Sequence, residues 1–384
     1  MSAEEPPFTV GIEEEYLLVD LDSHDVHEPP PELLRECTER GAGRINPELL
    51  PARINVSTRV CRTVSEARAD LAHLRSIVVE TGREHGHAPI AASTHPFARP
   101  NRHVRTHWER LGEFAREIRK PLRPMMMCSM RVHVGLDNDD LRIDLMNQFA
   151  YFLPHLLALS CSSPFWEGEQ TGFMSFRLPM LSSQPRTGLP ESFVSYEDFR
   201  RQLDMLIRSG LMEDTTKIEW DLRPSSRHPT LETRILDCCT SIDDAVCLSA
   251  LVATVLRMLY RLRRANRSWR RYSSVLVAEN RWRAMRYSYD AKLLDLAKGE
   301  LVAFPVLLSE LLELVREDAE ALDCLSEVEH ARTILARGTS AHRQLKLFAE
   351  ARSRGASERE ALKAVAEFLV RETSEGLVAR RAKR

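Results

Sequence analysis

Up to residue 237 the chain alternates between two kinds of pattern. Short runs rich in Val, Ile, Met, Phe and Thr predict strands at 8–19, 52–58, 88–93, 126–135, 172–179, 216–222 and 230–237. Between them apolar residues recur at helical spacing. Ala67, Leu71, Leu74 and Val78 predict a helix from an N-cap at Ser65 to about His85. A second helix follows Asp137–Asp140 and runs toward Ser160 with a bend at Pro154. A third covers 196–209, and Asp243-Asp244 opens a long one over 245–264. After Glu279 the pattern is almost wholly helical, with amphipathic segments at 306–336, 340–353 and 357–373. Strands and helices mix without strict alternation, so an α+β fold with a largely antiparallel sheet is expected rather than a doubly wound one. The division suggests one catalytic domain over 1–384. Sheet and motifs would lie in 8–300, with a helical C-terminal cap at 306–384. The cap's broad surface could serve a homodimer interface.

Composition changes this picture little. Of 384 residues 43% are hydrophobic and 29% charged, which is ordinary for a globular chain. The net charge of −2 creates no field to recruit nucleic acid or membrane, so a small-molecule partner is favoured. The longest apolar run, 245–256, is too short to span a bilayer. Eight cysteines without CxxC spacing read as reduced, buried thiols of a cytoplasmic protein. The opening residues are acidic and polar, unlike a signal peptide. The basic run Arg380–Arg384 reads as a solvated tail.

The chemistry concentrates in four places. In Phe8-Thr-Val-Gly-Ile-Glu-Glu-Glu-Tyr-Leu-Leu-Val-Asp20, strand alternation sends Glu13 and Glu15 to one face and Glu14 to the other. Two acids side by side repel, so a cation between them is expected; Mg2+ suits hard oxygen ligands and commonly accompanies phosphate. In Cys128-Ser-Met-Arg-Val-His-Val-Gly135, Arg131 and His133 share a strand face and suit a phosphate or carboxylate clamp beside a metal ligand. In 220–237, a Pro-rich turn joins two strands. Glu232 and Arg234 share a face, and Arg223 and Arg227 flank the turn as polyphosphate contacts. Arg177 ends a strand-like run and Arg186 sits in a Gly/Pro loop; both could serve as a clamp or lid. Each place also has a plain structural reading as a solvated edge, a core histidine, a salt-bridged hairpin or a surface arginine. In 279–287, Trp282 and Arg286 read as a surface cation–π pair.

Taken in order, these motifs resemble those of the carboxylate–amine ligases called glutamate–cysteine ligase type 2. The segments Thr94-His-Pro-Phe97, Asp221-Leu-Arg-Pro-Ser-Ser-Arg227, Leu231-Glu-Thr-Arg234 and Asn280-Arg-Trp-Arg-Ala-Met-Arg286 join the match, which runs from about 8 to 370. The resemblance implies a glutamine-synthetase-like curved antiparallel sheet forming a funnel, with helices outside. It implies ATP-dependent amide formation through an acyl phosphate, with amino-acid substrates and Mg2+ or Mn2+. Carried over by motif, Glu13, Glu15, His133 and Glu232 would bind metal and Arg234 would contact phosphate. Activity with glutamate and cysteine would be weak. Two positions depart from the pattern. Arg53-Ile-Asn55 stands where the family usually reads Gln-Ile-Glu, so Asn55 replaces a metal ligand. Arg131 stands where it usually reads His. These departures predict that one metal position is weakened and that guanidinium groups stand in for it. A nucleotide-binding member without turnover, and an ATP-independent γ-glutamyl amide hydrolase, are the alternative functions.

Overall fold

The 8–20 stretch carries enough β-favouring, apolar residues to form the central strand of the molecule. In the computed structural model, which describes residues 5–48, 50–99 and 126–377, it is strand β1 (Val10–Asp20). Around it lie β2 (Ile45–Pro47), β3 (Arg53–Ser57), β4 (His87–Ile90) and β5 (Met130–Gly135). The hairpin strands Leu222–Pro224 and Thr230–Thr233 complete a seven-stranded sheet. Running from the hairpin, the order is Leu222–Pro224, Thr230–Thr233, β5, β1, β3, β2, with β4 also paired to β1. Every pairing in this sheet is antiparallel. Helices pack around it, so the fold is α+β.

The helix Val64–Glu84 buries the predicted stripe of Ala67, Leu71, Leu74 and Val78. Its cap is Thr63, whose side chain accepts from the Glu66 amide; Ser65 already lies inside the first turn. The Asp137–Ser160 region is broken by a 3-10 turn, Ala150–Phe152, into helices Asp139–Phe149 and Leu153–Ser160. Pro154 sits in the first turn of the second, where its missing N–H costs nothing. The helix Ile242–Arg264 has 23 residues, longer than its apolar run suggests, and passes as a membrane span by length and composition. In that window 83% of residues are buried inside the protein, as in a core helix.

Three expectations are corrected. The 172–179 run is not a strand: it turns into the short helix Arg177–Leu181. The last predicted strand stops at Thr233 rather than 237: beyond it the Arg177 guanidinium donates to the carbonyls of Ile235 and Leu236, and pairing with the β5 side thins to a Met130 amide bond to the Leu236 carbonyl and an isolated Ser129–Asp237 bridge. The region after Glu279 contains a hairpin, Leu293–Asp295 with Glu300–Val302, turned by Gly299 at φ 72°. Farther on, the 306–336 pattern is two helices, Phe304–Ala321 and Leu325–Arg337. The helices Ser340–Ser353 and Glu358–Ser374 follow as expected. One buried apolar cluster extends from Phe8 to Leu369, uniting these helices with the sheet. The basic Arg380–Arg384 run lies outside the described residues.

Candidate active site

Directly opposed residues of an antiparallel sheet share a face, so register alone assembles the polar wall. Glu13 is opposed by Ser57 on β3 and by Arg131 on β5. Glu15 is opposed by Asn55, and His133 lies between Gly11 and Glu232. Glu232 in turn opposes Arg223. The sheet therefore brings Glu13, Glu15, Asn55, Arg131, His133, Glu232 and Arg223 to one face, although they come from distant parts of the chain.

The cation expected between Glu13 and Glu15 belongs to the protein. Arg131 donates from Nη1 to Glu13 Oε2 at 3.1 Å and from Nη2 to Glu15 Oε1 at 2.6 Å. The other oxygen of Glu15 accepts from the Ser129 amide at 2.8 Å and hydroxyl at 3.0 Å. Burial alone would raise the Glu15 pKa. The Arg131 and Arg53 charges and the Ser129 bonds outweigh it and hold the carboxyl at about 2. Glu232 is similarly engaged. Arg223 donates to it from Nε at 2.9 Å and Nη2 at 3.3 Å, and Arg234 donates from Nη1. Burial again opposes ionisation, and Arg234, Arg223 and His133 prevail, leaving the carboxyl at about 2.

These contacts decide whether the wall fits the metal that the resemblance implies. His133 Nδ1 pairs with Thr230 Oγ1 at 3.0 Å, while Nε2 has no hydrogen-bond partner and lies 3.6 Å from Glu13 Oε1. Burial lowers the His133 pKa and favours the neutral ring. That pair suits a cation, but Glu15 and Glu232 have both oxygens committed. Asn55 accepts from Ser57 Oγ at 2.9 Å. Among the described residues no group of three or more His, Cys, Asp or Glu side chains is arranged to hold a metal ion. The residues of the expected ligand set, Glu13, Glu15, His133, Glu232 and Asn55, share one face, and the Arg131, Arg223 and Arg234 guanidiniums bond to its three carboxylates.

Beside this wall lies a cavity of about 230 Å³. Arg53, Arg131, Arg177, Arg234 and Arg281 line it, together with Glu15, Glu219 and Asp221. Arg234, between Glu232 and Glu219, joins the hairpin to the cavity rim. Arg177 is a buried support rather than a mobile lid: Nε donates to Asp237 at 3.0 Å and Nη2 to the carbonyls of Ile235 and Leu236, both at 2.8 Å. Arg186 is tied to the carbonyls of Lys217 and Leu211 and does not line the cavity. Arg223 is buried between Glu232 and the carbonyls of Thr216 and Ile218, and Arg227 is exposed on the hairpin turn.

Sequence reasoning missed the pair Arg281–Asp221, which closes the cavity floor through two guanidinium–carboxylate bonds. Both residues lie in motifs quoted above, so the signal was present; their long-range pairing was not visible. It also missed Glu219, Asp237 and Ser129. The Trp282–Arg286 pairing is corrected: Arg286 stacks over Phe173 and Tyr287, and Trp282 meets Tyr287 edge-on.

Comparisons with known proteins bear on the family and the fold. The profile of glutamate–cysteine ligase family 2 matches residues 9–367. A Rhodospirillum rubrum relative, provisionally named glutamate–cysteine ligase 2, is 52% identical over 374 residues, covering 96% of each chain. A Jannaschia relative with the same provisional name is 46% identical over 363 residues, covering 94% of this chain and 96% of its own. Among solved structures, Francisella tularensis glutamate–cysteine ligase in complex with AMP aligns with TM-score 0.66 at 14% identity, covering 98% of this chain and 91% of that one. A bifunctional glutathione synthetase from Pasteurella multocida aligns with TM-score 0.65 at 13% identity, over 95% of this chain and 52% of that one. At such low identity the structural likenesses speak for the fold.

Proposed function

Because the chain belongs to glutamate–cysteine ligase family 2, we propose that it is an ATP-dependent carboxylate–amine ligase. The whole chain would act as one catalytic unit, with the open sheet face as the funnel of a glutamine-synthetase-like fold and the 306–384 region as its cap. A substrate carboxylate oxygen attacks the γ-phosphorus, ADP departs, and an acyl phosphate forms. An amine nitrogen then attacks the acyl carbon, phosphate departs, and the amine's proton passes to solvent. Glutamate as acid and cysteine as amine, at weak turnover, are the starting pair.

The observation that carries this reading is the cavity wall of five guanidiniums against three carboxylates. Phosphoryl transfer is accelerated chiefly by positioning and by fixed positive charge around the transferring group. Arg234 and Arg131 lie on that wall and supply such charge. Arg177, held by Asp237, fixes the backbone of 235–236 behind it. Arg227 on the exposed turn would meet the outer phosphates, and Arg223 keeps Glu232 aligned. Arginine already neutralises the acid row, so guanidinium groups of the chain supply positive charge around the phosphates. The eight free, buried cysteines support a reducing, cytoplasmic setting.

The test is ADP release by the purified protein with ATP and a matrix of acids and amines. Release that requires both partners is expected. Thermal stabilisation by ATP without ADP would replace this reading with a binding protein. Cleavage of γ-glutamyl amides with no ATP would replace it with a hydrolase.

A further inference from the structure

The three carboxylates that line the cavity, Glu15, Glu219 and Asp221, are not equivalent. Glu15 accepts from Arg131 on one oxygen and from Ser129 on the other. Asp221 accepts from Arg281 on both oxygens, at 2.5 and 3.1 Å. These two side chains are only 6% and 4% exposed. Glu219 accepts from Arg234 on Oε2 alone. Its Oε1 has no hydrogen-bond partner among the described residues, and it is not one of the buried unpaired atoms. The Glu219 side chain is 39% exposed, so a molecule entering the cavity can reach that oxygen.

The backbone fixes Glu219 at this place. It opens the two-residue strand Glu219–Trp220, which pairs in parallel with Thr187–Gly188, and both of those residues also line the cavity. The Glu219 amide donates to the Arg186 carbonyl at 2.8 Å and the Asp221 amide to the Gly188 carbonyl at 2.7 Å. Trp220 packs on Phe193, with ring centroids 5.8 Å apart, and anchors the strand. The rest of the wall is cationic. Five guanidiniums attract phosphate and repel an ammonium, so an amine that arrives protonated needs an anion to approach. Of the three lining carboxylates, Glu219 is the one with an accessible oxygen left to accept from it.

We infer that Glu219 receives the ammonium group of the amine substrate and is the general base of the amide-forming step. This rests on the ligase reading above. The ammonium nitrogen donates to Glu219 Oε1 and gives up one proton to it. The lone pair so freed attacks the acyl carbon. The C–O bond to phosphate breaks with its electron pair on the phosphate oxygen, and the departing phosphate carries off the second N–H proton. Glu219 then passes its own proton to solvent. Arg234, bound to Oε2, keeps the carboxylate aimed while Oε1 works.

Hydroxylamine separates the two half-reactions, because it is already uncharged at neutral pH and traps an acyl phosphate as a hydroxamate. Amide formation from glutamate and cysteine is compared with hydroxamate formation from glutamate and hydroxylamine, with ATP and Mg2+ in both. Glu219→Gln should lower the ratio of amide to hydroxamate about a hundredfold at neutral pH. The variant's amide rate should climb more steeply with pH than the parent's, as the free amine forms without a base. Glu219→Asp should recover part of the ratio. If Glu219→Gln fails to fold, Glu219→Ala takes its place, and added formate should restore the lost ratio. A ratio that substitution leaves unchanged, whether both products persist or both are lost, would overturn the inference. Absence of hydroxamate, amide and ADP with the parent chain would instead overturn the ligase reading on which it rests.

Discussion

Strand β1 carries acid–arginine pairs on both faces, and the two differ in one physical respect. On the helix-covered face Glu14 meets Arg75, with both side chains 0% exposed. Arg75 donates Nε to Glu14 and Tyr16, Nη1 to the Thr240 carbonyl, and Nη2 to Glu14 and the Cys239 carbonyl. Each of its nitrogens is engaged, and it pins β1 to the chain entering the Ile242–Arg264 helix. On the open face Arg131 meets Glu13 and Glu15 at 21% side-chain exposure, beside a cavity, with Nε unpaired. The same chemistry serves as a structural pin where every donor is satisfied. It serves as a candidate site where donors and space remain.

The largest test of this contrast is Arg75→Met. It leaves the buried Glu14 carboxylate with no counter-charge and the Tyr16 hydroxyl as its remaining donor, and should cost about 3–5 kcal/mol in chemical denaturation. A loss comparable to that at an exposed pair would show that the covered face is not sealed. Glu15→Gln on the open face should cost less, about 1–3 kcal/mol, because water can reach the groups it frees. It should also depress acid- and amine-dependent ADP release more than it depresses stability, and both are read on the same preparation.

Acid sharpens the comparison further. Glu15 and Glu232 have folded pKa values of about 2, below the ordinary 4.5. Above pH 4.5 both the folded and unfolded forms are ionised, and the stabilisation is fully present. It is lost as pH falls from 4.5 toward 2. Denaturation midpoints should therefore decline through that window, and Glu15→Gln should flatten part of the decline.

A smaller and more specific effect is expected from Asn55→Glu combined with Arg131→His. This exchange removes the built-in cation and adds two metal donors to the face holding Glu13, Glu15 and His133. Electron paramagnetic resonance should detect bound Mn2+ that the parent chain does not retain; equal retention by both would refute the substitution of metal by arginine. Arg227→Ala, on the exposed turn, should change stability by less than about 0.5 kcal/mol, with any effect confined to the KM for ATP.

Much of the fold was legible locally. The strands at β1, β3 and β5, the helix stripe of Ala67, Leu71, Leu74 and Val78, and the antiparallel character followed from periodicity and β-branched content. The errors came where a distant side chain overrode local preference. Arg177, carried on a short helix where the 172–179 run predicted a strand, bonds the carbonyls of Ile235 and Leu236 at the point where the other expected strand thins to an isolated bridge. Thr63 rather than Ser65 capped a helix because its extended backbone presented the oxygen to the Glu66 amide.

For the site, sequence alone determined that Glu13 and Glu15 face one way and Glu14 the other, because side chains alternate along any strand. It also determined that two adjacent carboxylates need a positive neighbour. Only the tertiary structure decided what that neighbour is. Arg131 lies 118 residues from Glu13 in the chain, and β-sheet register sets them opposite one another. Pairing between strands is a long-range choice that no local pattern encodes. For that reason the parity of the acids was readable in advance, whereas their counter-charge, the Arg281–Asp221 floor and the open oxygen of Glu219 were not.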